Sequence, residues 1–66
     1  MNIGKNIRDL RKEMGISQTV LAEKLCTTQD TISLWELGKS YPDVLSLVAL
    51  AKFFNVTTDY LLGLEE

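Results

Sequence analysis

Apolar residues recur at helical steps along almost the whole chain, and each run is cut short by a residue on which helices end. Ile3, Ile7, Leu10 and Met14 are spaced by four, three and four, which makes one stripe on an amphipathic helix of about three turns. Gly15 follows, where a left-handed residue releases the chain. Ser17 is then the N-cap of a second helix whose inner face is Leu21, Ala22 and Leu25. Cys26-Thr27-Thr28 breaks that pattern, and Thr28 caps a third helix with Ile32 and Trp35 inward and Gly38 closing it. Ser40-Tyr41-Pro42-Asp43 makes a loop, because Pro42 disfavours helix in the residue before it, and a new cap. A fourth helix from Val44 to Phe54 is expected to bury Val44, Leu47, Val48, Ala51 and Phe54. Asn55 stops it, Thr57 caps a last turn carrying Tyr60, Leu61 and Leu62, and Gly63 closes that turn. No strand period, internal repeat or long linker interrupts the series. The reading is an all-α fold of five short helices, one compact domain over residues 1–66.

Size and residue usage narrow the function. A chain of 66 residues buries only about 60% of the surface its unfolded form exposes. With one cysteine, Cys26, an internal disulfide is excluded, and with no histidine the usual zinc-finger ligand sets go too. The missing histidine also removes the commonest general base and every Ser/His or Cys/His nucleophile pair. The acidic residues show no spacing that suggests paired catalytic carboxylates. The expectation is therefore no enzyme, no catalytic residue, no metal and no cofactor. No apolar run approaches the roughly 20 residues of a membrane span, and the start Met-Asn-Ile-Gly-Lys lacks the apolar core of a secretory signal. A reduced, cytoplasmic compartment without membrane contact fits this usage best. Net charge is −2, yet six of the seven basic residues lie before residue 40, so the first two-thirds of the chain hold the basic potential.

Residues 18–37 are the informative stretch. Two helices separated by three or four residues have the connection length of a helix-turn-helix. Ala22 supplies the small side chain needed where the two cross, and Leu21, Leu25, Ile32 and Trp35 supply a shared core. Ser17-Gln18 and Thr28-Gln29 stand at the two helix starts, where free backbone N–H groups and the dipole favour an anion such as phosphate. Counting 100° per residue from Ile32 turns Asp30, Ser33, Leu34 and Leu37 outward.

The run Ile-Ser-Gln-Thr-Val-Leu-Ala-Glu-Lys-Leu (16–25) followed by Thr-Ile-Ser-Leu-Trp-Glu-Leu-Gly-Lys (31–39) resembles the Cro/repressor-type (Xre-like) helix-turn-helix domain of phage and bacterial transcriptional regulators. The resemblance reaches back to Ile7-Arg-Asp-Leu-Arg (7–11) and continues through Pro42, Leu47, Leu50-Ala51-Lys52 and Val56-Thr-Thr-Asp-Tyr-Leu-Leu (56–62). It implies a lambda-repressor-like five-helix domain, with the helix-turn-helix proper at about 18–37 and a recognition helix at about 28–37 in the major groove. The implied activity is sequence-specific binding of double-stranded DNA as a transcriptional regulator, a repressor. A homodimer on a pseudo-palindromic operator follows, its contact weak away from DNA.

By the same resemblance Gln18 hydrogen-bonds a phosphate and supports the next helix. Thr28 and Gln29 open the recognition helix, Gln29 suiting a bidentate contact to adenine N6 and N7. Asp30, Ser33 and Leu34 face the groove, and Lys39 pairs with the DNA backbone. Arg11 and Glu36 form a structural ion pair between the first and third helices. Cys26 stands at a turn position often held by glycine, which predicts a left-handed non-glycine residue there. Leu34 and Leu37 occupy outward positions where relatives commonly carry polar residues. With the net charge of −2, they support a second reading: a protein-interaction module with this fold and little DNA affinity. Val20, Leu45 and Phe53 fall on faces this pattern leaves open, either as scattered apolar surface or as a partner contact. Trp35 reads as core, and Cys26 as a plain small residue rather than a redox sensor.

Overall fold

The computed structural model describes residues 2–65, so Met1 and Glu66 of the 1–66 domain lie outside the described residues. Five helices follow in order: α1 (Ile3–Glu13), α2 (Gln18–Lys24), α3 (Gln29–Glu36), α4 (Val44–Phe54) and α5 (Thr58–Leu62). Among the described residues there is no strand. Four helices start where a short polar side chain accepts from the backbone three residues on: Ser17 from Val20, Thr28 from Thr31, Asp43 from Ser46 and Thr57 from Tyr60. Each bond satisfies a helix donor that has no partner within its own helix.

The ends are equally local. Gly15, Gly38 and Gly63 take positive φ, as does Asn55 after α4. Cys26 also stands at φ 57°, as its place in the turn predicts. Only four residues separate α2 from α3, and the two helices pack on each other, with Ala22 of α2 buried.

Ile7, Leu21, Ile32, Leu50 and Leu61, one from each helix, are the fully buried side chains. Ile3, Ala22, Trp35 and Ala51 complete the core. α3 packs on both α1 and α2, while α5 closes the bundle against α1 and α4. The Asn6 side chain on α1 donates to the carbonyls of Tyr60 and Leu61, 3.2 Å each, and so caps the end of α5.

Three core expectations are corrected. On α4, Val44 and Val48 are exposed, Val44 at 76%, and the inward stripe is Leu47, Leu50, Ala51 and Phe54. Phe53, expected on an open face, is half-buried against the core and meets Phe54 edge-to-face at 5.1 Å. Met14, expected on the inner stripe of α1, is its C-cap and is exposed, and Ile16 packs against the core instead. On α4 the physical reason lies in its composition. An apolar helix offers several stripes, and the neighbours against which it packs choose between them.

Candidate nucleic-acid interface

The outer face of α3 is two turns long, about 12 Å at 1.5 Å per residue. Ile32 and Trp35 hold its inner face in the core. On the outside Gln29 and Asp30 are exposed, Leu34 is 42% exposed and Leu37, the C-cap, 64%; Ser33 is half-buried. Thr28 is exposed at the start of the helix, but its hydroxyl serves the cap and also meets the Thr31 hydroxyl at 2.9 Å. Lys39 is exposed in the turn beyond α3, where its backbone N–H donates to the Leu34 carbonyl at 3.0 Å.

Behind this face runs a connected polar line. Arg11 Nε donates to Glu36 Oε2 at 2.7 Å, and a second guanidinium nitrogen donates to Oε1 at 3.0 Å. Its third nitrogen donates to the Ile16 carbonyl at 3.0 Å, which ties the turn after α1 into the same knot. The side chains are 12% and 4% exposed, so this is a bidentate, largely desolvated pair. The bond to Glu36 holds the Arg11 pKa above its ordinary value, against the opposing effect of burial. Gln18 Nε2 donates to Glu36 Oε1 at 3.0 Å, and Gln29 Nε2 donates to Gln18 Oε1 at 2.6 Å. Four expected residues, Arg11, Glu36, Gln18 and Gln29, thus stand in one chain running from the interior to the surface.

Some residues at this face escape sequence reasoning. Arg8 and Lys12 join Arg11, Gln18, Glu36 and Leu37 around a trench of about 370 Å³ between α1 and the helix-turn-helix. Their signal was available: positions 8, 11 and 12 share one face of α1, a basic stripe at helical spacing. Gly4 is a second. A Cβ built on it would clash with the Trp35 carbonyl and lie 2.8 Å from that of Glu36, so α1 approaches the end of α3 only because residue 4 is glycine. No local pattern announces that contact, since it joins residues far apart in sequence. Among the described residues no helix is long and apolar enough to cross a membrane, and no group of three or more His, Cys, Asp or Glu is placed to hold a metal ion.

A family model described as helix-turn-helix matches residues 7–61. The chain belongs to the helix-turn-helix family. Over all 66 residues the chain is 42% identical to the HTH-type transcriptional activator BcrR of Enterococcus faecalis and 38% identical to the HTH-type transcriptional regulator ImmR of Bacillus subtilis. It spans only 32% and 52% of the lengths of those two relatives. Among solved structures, the P22 c2 repressor in complex with a synthetic operator superposes with a TM-score of 0.92 at 32% identity, covering 98% of both chains. The fold expected from the resemblance is the one found in this family.

Proposed function

We propose that this domain binds double-stranded DNA sequence-specifically as the reading head of a phage or bacterial transcriptional regulator. In this reading α3 lies in the major groove, which is about 12 Å wide and accommodates one helix. Gln29, Asp30, Ser33 and Leu34 face base edges, while Gln18, Thr28 and Lys39 meet the phosphate backbone. The observation that carries it is the outer face of α3, where Gln29 stands exposed yet held in place by Gln18 at 2.6 Å. A side chain restrained in this way loses less freedom on meeting a base. The P22 c2 repressor, alike over nearly its whole matched chain, was solved with an operator, which supports the same role here.

One such helix contacts only a few base pairs, so two copies on a pseudo-palindromic site supply the missing specificity. The segment around Asn55–Thr58 with α5 is the proposed homodimer contact, completed on DNA. Repression is the proposed outcome, because occupying an operator blocks access to it without any further contact. The reading places the protein in the cytoplasm of a bacterium or an infected host, where its DNA is. A second reading, a protein-interaction module, draws on Leu37 and Tyr41, both more than 60% exposed, and on the net charge of −2.

The test is a titration against random-sequence duplexes at two salt concentrations, followed by site selection. DNA binding through phosphates gives log K falling with log salt at a slope of about −0.9 per phosphate contacted, and selection then returns two half-sites about one helical turn apart. A flat salt response and no enriched sequence would favour the protein-interaction reading.

A further inference from the structure

We infer that Glu36, whose side chain is only 4% exposed, decides which purine Gln29 reads, by fixing the direction of the two amides between them. The inference rests on the DNA-binding reading above.

A carboxylate offers only acceptors. Arg11 already donates to both oxygens of Glu36, and a guanidinium offers only donors, so this end of the line has one polarity. Gln18 can approach Glu36 Oε1 only with its nitrogen, as it does at 3.0 Å. That turns Gln18 Oε1 toward Gln29, which must in turn present its own nitrogen, at 2.6 Å. What Gln29 keeps for the groove is its carbonyl oxygen and the second proton of Nε2, an acceptor beside a donor. In the major groove adenine offers the complement, the N6 donor beside the N7 acceptor, whereas guanine offers two acceptors, O6 and N7. The preference for adenine is thus written at residue 36 and transmitted through Gln18. Glu36 is a positioning residue in this scheme, since it touches no base itself.

Removing the acceptor, rather than replacing it, releases the line: Glu36 Oε1 accepts from both Arg11 and Gln18, so an amide in its place would keep its oxygen there and preserve the direction. In the Arg11→Met/Glu36→Leu double variant nothing behind Gln18 fixes its amide. Gln18 can then turn its nitrogen toward Gln29, which answers with its oxygen and leaves only Nε2 protons for the groove, which suit guanine.

The experiment selects binding sites from one random duplex pool with wild type and the Arg11→Met/Glu36→Leu double variant in parallel. Wild type is expected to enrich adenine at one position of each half-site, and the double variant to accept adenine and guanine there in comparable numbers with the other positions unchanged. If the double variant enriches the same adenine alone, Glu36 is only a structural partner of Arg11, and the inference falls while the DNA-binding reading stands. If wild type enriches nothing, the reading falls and takes the inference with it. Should the double variant fail to fold, wild type decides alone, on its selected site with that adenine replaced by purine, which lacks the N6 amino group, or by 7-deazaadenine, which lacks N7. Each replacement is expected to weaken binding about five- to tenfold. A loss with 7-deazaadenine and none with purine would show Gln29 presenting protons alone, the opposite direction, and would overturn the inference.

Discussion

Arg11 on α1 and Glu36 at the end of α3 are 25 residues apart in sequence and joined by two parallel hydrogen bonds, at 2.7 and 3.0 Å. Both side chains are largely out of water. Breaking such a pair from one side leaves a charge that neither partner nor solvent compensates, at a cost of about 3–5 kcal/mol. A domain of this length is held by roughly 3–10 kcal/mol in total. Arg11→Met or Glu36→Leu alone is therefore expected to leave the domain near its unfolding midpoint at room temperature. The double variant is expected to lose less than the two singles summed. Urea melts of all four proteins check this, and strictly additive losses would mean that the pair contributes no coupling.

Gly4 makes a second stability prediction. Its missing side chain is replaced in space by the Trp35 and Glu36 carbonyls, which belong to backbone and cannot turn aside. Ordinarily alanine is the better residue inside a helix by up to about 1 kcal/mol. Here Gly4→Ala is expected to destabilise instead, by about 1–3 kcal/mol, because α1 must move off α3. A thermal melt gives the sign directly, and an unchanged or raised midpoint would contradict the contact.

Asp43 gives a pH dependence. Its carboxylate accepts from the side chain and backbone of Ser46, which hold its pKa below the ordinary value. A carboxyl with a lowered folded pKa adds stability above its unfolded value, about 3.9, and loses that contribution as pH falls through the folded one. Asp43→Ala is accordingly expected to be less stable than wild type at pH 7, with the gap narrowing below pH 4. Denaturant midpoints at the two pH values test it, and a gap independent of pH would assign the effect to something other than the ionised cap.

Much of this architecture was legible before any coordinates, and the reason is range. Ser17, Thr28, Asp43 and Thr57 act on N–H groups three residues away, so their roles are written locally. The same holds for the left-handed Asn55 and Cys26. Val44–Phe54 was another matter. Its residues are apolar nearly all round, and a stripe through Val44 and Val48 is as regular as one through Leu50 and Phe54. Only the positions of the neighbouring helices choose Leu50. At the candidate site, resemblance named Gln18 and Gln29 singly and Arg11 with Glu36 as a pair. Their linkage into a single line depends on how three helices meet, which no local pattern records.

Binding variants are expected to divide by the atom they lose. Gln29→Ala should weaken specific binding by about 1–3 kcal/mol and leave non-specific binding nearly unchanged. Lys39→Ala should weaken both alike and lower the salt slope by about one. Arg8→Gln and Lys12→Gln, at the trench beside Gln18, are expected to follow Lys39. Titrations on selected and random duplexes at several salt concentrations separate the two classes, and identical behaviour of Gln29→Ala and Lys39→Ala would erase the distinction between reading and positioning.

Leu34, half out of the protein on the outer face of α3, has one apolar feature to meet in the major groove, the thymine methyl. Asp30, an acceptor when ionised, suits cytosine N4 nearby. The expected half-site therefore carries an adenine opposite Gln29, a cytosine near Asp30 and a thymine near Leu34. Replacing that thymine by uracil removes only the methyl. Wild type is expected to bind the uracil site more weakly, and Leu34→Ala to bind both sites alike. Indifference of wild type to every thymine in its selected site would move Leu34 to a protein interface.

The cap that Asn6 places on α5 brings the two ends of the described chain together: a Cβ on Gly63 would lie 3.7 Å from the backbone nitrogen of Asn2. Force applied between residues 2 and 63 would therefore act across adjacent points, opening the α1–α5 seam one contact after another like a zipper, instead of shearing the whole seam at once. Mechanically this is a domain that yields first where its ends meet, at the α1–α5 seam, and passes the load next to the α1–α3 contact at Gly4.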